Sequence, residues 1–183
     1  VGSNNDTAPI IDASLRRLLV ILEKHFASAS YLLSKRPSSS DFALYGQLSQ
    51  LVNFDPTPRE ICHEVSLRTV AWVGLIEDQS GIEVTDEQWG SIESLPSTVK
   101  DLLIEIGNGY VPAQLANARA IENGDKEWET EIDNCLWKQK SFPYQAKCLK
   151  WVNEEYSALE KNDRKKVNNL LDGTGCERLI LKL

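Results

Sequence analysis

Apolar residues recur at helical spacing along most of the chain. Ile11, Leu15, Leu18, Leu22 and Phe26 fall three or four apart, so they share one face of a helix over residues 10–26. Val20 and Ile21 widen that face, which predicts burial on more than one side. A second stripe comprises Leu44, Tyr45, Leu48, Leu51 and Val52. Pro37 confines Arg36 to extended conformations, so no helix runs in from upstream. Ser38-Ser39-Ser40-Asp41 then has the form S-x-x-D. The Ser38 hydroxyl can accept from the Asp41 N–H, and the Asp41 carboxylate can reach back to the Ser38 N–H. Its charge also suits the positive end of the helix. Local structure therefore accounts for Asp41 without a catalytic role, since a cap of this kind contributes about 1 kcal/mol.

Thr57-Pro58-Arg59-Glu60 repeats the start signal, with Thr57 as cap, Pro58 at the first helical position and Glu60 three residues after the cap. Ile61, Val65, Trp72, Val73 and Ile76 carry one apolar stripe on to about Glu77, and Gly81 closes the section. Residues 82–95 form an acidic linker with one short helix signalled by Thr85-Asp86-Glu87-Gln88. Thr98 opens another helix, with Val99, Leu102, Leu103 and Ile106 inward and Gly107 as its stop. Pro112 to Asn123 is a further helix. Its inner face is small (Ala113, Ala116, Ala120), and Gly124 caps it.

At Glu127 the period changes to two. A two-residue turn at Asp133-Asn134 predicts a hairpin over residues 127–140. It pairs Ile132 with Cys135, Thr130 with Trp137 and Trp128 with Gln139 on the buried face. On the outer face it sets Glu129 against Lys138 and Glu127 against Lys140, opposite charges opposite each other. Helix resumes at Pro143, with Tyr144, Cys148, Trp151, Val152, Tyr156 and Leu159 in phase. Residues 163–172 form a last short helix, stopped by Gly173-Thr174-Gly175, and residues 178–183 a tail packed by its leucines. The fold class is mainly α. A frayed tail covers residues 1–7, a helical part 8–82, and a helical extension 83–183, packed on the first part, carries the hairpin.

With 183 residues and a net charge of -7, the chain can build a core but offers no surface for nucleic acid or an anionic membrane. The basic cluster Arg164-Lys165-Lys166 reads as a solvated helix face. Four scattered cysteines with no CxxC suit reduced thiols in the cytoplasm. The longest aliphatic run, Leu18 to Leu22, is far too short to span a bilayer. Two histidines, His25 and His63, with no HExxH and no cysteine–histidine cluster, predict no metal site. Cys62-His63-Glu64 places a thiol beside a base. Adjacent helical residues point about 100° apart, however, so a buried cysteine next to an exposed histidine is expected. Gly107-Asn108-Gly109 and Gly173-Thr174-Gly175 read as helix stops rather than phosphate cradles, and core packing explains the five tryptophans and five tyrosines. No catalytic constellation assembles.

The run from Tyr31 to Leu48, with Tyr31-Leu32-Leu33, Arg36-Pro37-Ser38 and Asp41-Phe42, resembles the C-terminal helical domain of glutathione S-transferases. In that family the S-x-x-D unit caps a central buried helix. Leu22-Glu23 and Ala71-Trp72-Val73 also resemble the family, so the likeness covers residues 10–81. Ser34 stands where the family usually has glycine. The second half resembles C-terminal extensions of some larger bacterial members. For a complete protein the resemblance implies glutathione transfer to electrophiles or glutathione-dependent reduction. The family's glutathione site lies in an N-terminal thioredoxin-like domain, and no βαβ pattern precedes Ile10. The chain is thus expected to be the co-substrate side, without catalytic or glutathione-binding residues of its own. A thioredoxin-like domain or a second copy would be its partner. The competing expectation is a free-standing helical module that works by protein–protein contact.

Overall fold

Helix α1 (Ala8–His25) is prepared by a turn that Asn4 closes. The Asn4 Oδ1 accepts from the N–H groups of Asp6 and Thr7 at 2.9 and 3.0 Å, and its own N–H donates to Thr7 Oγ1 at 2.9 Å. Thr7 is buried. The expected frayed tail is therefore an ordered turn from Asn4 onward, because the Asn side chain satisfies amides that precede the first helical bond.

The computed structural model describes residues 3–180. Among them the chain is mainly helical, with seven α-helices and one two-stranded antiparallel hairpin. Two compact units divide it: residues 15–102, and residues 1–14 together with 103–183. The expected boundary at 82/83 is not where they part. Residues 82–95 belong with the first unit, held by the segment ahead of α2. Lys35 N–H donates to the Gln88 carbonyl at 3.1 Å. The Arg36 guanidinium donates to the Thr85 carbonyl at 3.4 Å and lies 4.5 Å over the Trp89 ring.

In the unit of residues 15–102, α1 is joined by α2 (Ser39–Asn53), α3 (Pro56–Val65), α4 (Leu67–Glu77) and the start of α5 (Ser97–Asn123). From the predicted stripes, Leu22, Leu48, Val52, Ile61, Trp72, Val73 and Ile76 meet in one core with Leu19, Tyr31 and Cys62, whereas Ile11 is exposed. Phe26 stacks on Trp72 with ring centroids 4.7 Å apart. Val20 is 44% exposed, so α1 buries one side and not two. The stripe expected to run unbroken to Glu77 is two helices. Ser66 interrupts it with a non-helical backbone (φ -147°, ψ 85°) and caps α4 by accepting from the Thr69 N–H at 3.2 Å.

In the other unit, α5 continues to Asn123, followed by β1 (Glu127–Ile132), β2 (Cys135–Lys140), α6 (Pro143–Ala158) and α7 (Lys161–Leu171). Val111, Leu115, Leu149 and Cys176 form its core, with Leu103, Ala118, Leu171 and Leu179 packed around them. Two helices had been expected where α5 is one, with Gly107 as a stop. Gly107 is instead a point of close approach: a Cβ there would lie 1.9 Å from the Thr174 carbonyl oxygen. The two glycine triplets thus pack against each other. Pro112 forfeits the bond to the Asn108 carbonyl, at roughly 3 kcal/mol. Burying its neighbours Val111 and Leu115 contributes about 1.5–3 kcal/mol each, which is enough to keep the helix whole.

The hairpin has the predicted register, from Ile132 opposite Cys135 to Glu127 opposite Lys140. Asp133 and Asn134 both take positive φ, 50° and 60°, as a type I′ turn requires. Trp128 and Ile132 are buried. Lys138 pairs diagonally with Glu127 at 3.1 Å. Not all aromatic residues are core: Tyr110, Tyr144 and Trp151 are 49%, 56% and 43% exposed, and Val152 is exposed too. Of the expected leucine-packed tail, Leu179 joins the core and residues 181–183 lie outside the described residues.

Candidate functional site

The segment between α1 and α2 has no regular structure, so its backbone groups need partners from elsewhere. Three buried side chains supply them at consecutive residues. The Trp72 indole N–H donates to the Ser30 carbonyl at 2.9 Å. His25 Nε2 lies 3.0 Å from the Tyr31 carbonyl. The Asp41 carboxylate accepts from the Leu32 N–H at 2.8 Å. A carbonyl can only accept, so His25 Nε2 carries a hydrogen and donates it, leaving Nδ1 to meet the Thr98 hydroxyl 2.7 Å away. The Tyr31 hydroxyl closes the group by donating to Gln79 Oε1 at 3.0 Å.

Asp41 is the hub. Its second oxygen accepts from the Ser38 N–H at 2.9 Å and from the Ser38 hydroxyl at 2.7 Å, completing a capping box at the start of α2. Asp41 and His25 are both wholly buried. Every oxygen of the carboxylate and both ring nitrogens of the imidazole are engaged with the chain's own groups. The cluster positions a loop.

The second predicted cap forms differently. Asp55, not Thr57, precedes α3, and its side chain accepts from the Thr57 N–H at 3.3 Å. Pro56 explains the shift. It forces Asp55 into the extended conformation a cap needs and lacks an N–H to satisfy, so the helix starts two residues early. Thr57 and Glu60 are exposed. Glu60 instead lines a shallow surface hollow of about 370 Å³ with Phe54, Pro56, Arg59 and His63. Cys62 faces the core, where burial pushes its thiol up, while His63 faces outward.

A carboxylate for which the sequence signals no capping role, Glu23, caps α4. Glu23 accepts from the Ser66 hydroxyl at 2.9 Å and the Arg68 N–H at 3.0 Å, and pairs with the Arg68 guanidinium. Partial burial pushes Glu23 up, but those bonds and the Arg68 charge outweigh it and hold the carboxyl below its ordinary range. In the other unit, Asn117 does similar work for α6, donating to the Phe142 carbonyl at 3.0 Å and accepting from the Phe142 N–H at 2.7 Å. His25 was named only as one of two histidines, although it lies three residues after Leu22 and seven after Leu18, a spacing that could have revealed its burial. Glu23 and Asn117 gave no local signal, because their partners lie 43 and 25 residues away.

Among the described residues no group of three His, Cys, Asp or Glu side chains is arranged to hold a metal ion. No helix there is long and apolar enough to cross a membrane. Comparison of the chain with protein-family models, with curated proteins and with solved structures finds no match in any of the three.

Proposed function

We propose that this chain is the helical, co-substrate-side portion of a glutathione S-transferase-like protein. The observation that supports the reading is Asp41. It sits fully buried at the base of α2 and ties that helix's first turn to Leu32, within the segment whose residues resemble the family's. On this reading α1, α2, α3 and α4 supply a scaffold and an apolar wall for an electrophile. Glutathione belongs to a thioredoxin-like domain or a partner that carries one. The activity of the complete assembly would be glutathione transfer to electrophiles or glutathione-dependent reduction, in the cytoplasm.

Two measurements test this. Calorimetric titration of glutathione into the chain alone should give no micromolar binding, and such binding would overturn the division of labour. The coding sequence upstream of Val1 should encode a thioredoxin-like βαβ segment in frame. A start codon directly at that point would favour the second reading, a free-standing interaction module. The aromatic row exposed on α6 is what speaks for that reading.

A further inference from the structure

Helix α6 has two unlike faces. Leu149 is buried in the core, whereas Tyr144, Lys147, Trp151, Glu155 and Ala158, three or four apart, are all exposed and share one stripe. Phe142, Tyr144 and Trp151 make a continuous aromatic row, with ring centroids 6.2 and 6.1 Å apart. Lys147 stands over the Trp151 ring at 4.8 Å. A contiguous apolar patch of a few hundred Å² is often functional.

The order of charge along the stripe says what covers it. Lys147 lies one turn before Trp151 and Glu155 one turn after it. Glu155 has no ion-pair partner among the described residues. A two-fold axis through Trp151, with two α6 helices antiparallel, sets Lys147 of each copy against Glu155 of the other. The same operation stacks Trp151 on its own symmetry mate and fits Tyr144 against the small Ala158. Along the stripe from Tyr144 to Ala158 the pattern is its own complement, as an isologous contact demands, while Phe142 falls opposite Glu160 at its edge. A foreign helix of either charge would match only half of it.

We infer that the outer face of α6 binds a second copy of this chain. The inference rests on α6 alone and stands apart from the glutathione-transferase reading. The contact is small. Three half-exposed aromatic rings offer on the order of 300 Å² per copy, well under the roughly 800 Å² per partner of a stable interface. The dimer is therefore weak and concentration-dependent, weaker than about 1 μM, since even interfaces of standard size reach down to micromolar affinity.

Sedimentation equilibrium of the full chain tests it, with circular dichroism confirming that each variant is folded. Wild type should pass from monomer to dimer between about 1 μM and 0.5 mM. Trp151→Ala should weaken the dimer at least about tenfold. Lys147→Glu and Glu155→Lys should each weaken it by roughly tenfold, because each sets like charges opposite one another twice. The double variant should recover most of the lost affinity, since it restores both pairs in reversed order. A wild-type chain that stays monomeric at about 0.5 mM overturns the inference and leaves the face to a different protein. A dimer indifferent to both charge reversals overturns it as well, by placing the contact elsewhere.

Discussion

Replacing Asp41 with alanine removes three acceptor contacts at once from a wholly buried side chain. The Leu32 and Ser38 N–H groups lose their acceptors, at 2.8 and 2.9 Å, and the Ser38 hydroxyl loses its own at 2.7 Å. A buried amide left unpaired costs about 1–3 kcal/mol, so two of them with the lost cap sum to roughly 3–5 kcal/mol. Ser38→Ala removes one hydroxyl and leaves both amides satisfied, and should cost about 1 kcal/mol. Asp41→Asn is close in shape yet should be nearly as damaging as alanine. Its amide group presents protons to donors that already need an acceptor. In an Asp41→Ala background the serine change should cost less than about 0.5 kcal/mol, because the two side chains act as one unit. Urea unfolding followed by far-ultraviolet circular dichroism gives these differences. Two results would refute the reasoning: an Asp41→Ala cost under about 1 kcal/mol, or a Ser38→Ala cost as large as that of Asp41→Ala.

Further predictions concern the backbone, the caps and pH. Gly107→Ala should destabilise by at least about 2–3 kcal/mol, because a Cβ there meets the Thr174 carbonyl at 1.9 Å and backbone cannot swing aside. Gly109→Ala, whose Cβ would meet nothing within 4 Å, should stabilise by about 0.5–1 kcal/mol in the same urea unfolding experiment. Asp55→Ala should cost about 0.5–2 kcal/mol and Thr57→Ala almost nothing, the reverse of the order read from the sequence. Glu23 has a folded pKa held below its unfolded value, so its contribution is complete above the unfolded value of about 4.3 and drains away as pH falls through the folded one. Stability measured from neutral pH downward should show that acid-side loss in wild type, and Glu23→Gln should remove this part of it.

What the sequence decided by itself is whatever closes within about four residues or repeats with a fixed period. The stripes of α1 and α2 follow from spacing alone. The Ser38–Asp41 box joins a helix start to its own third residue. The hairpin register was legible because a period of two, a turn with left-handed residues and two rows of opposite charge all favour one alignment. Tertiary structure decided the rest, through partners distant along the chain. Gly107 looks like a stop until the Thr174 carbonyl arrives against it, and Pro112 looks like a start until burial of Val111 and Leu115 outweighs its missing bond. Ser66 becomes a helix cap with help from Glu23, a residue on another helix. Tyr144 and Trp151 have the same apolar character as Leu149, and only the placement of α6 turns the leucine inward and leaves the rings in water. Periodicity states that a helix has faces, while the neighbours that the chain brings to it determine which face is buried.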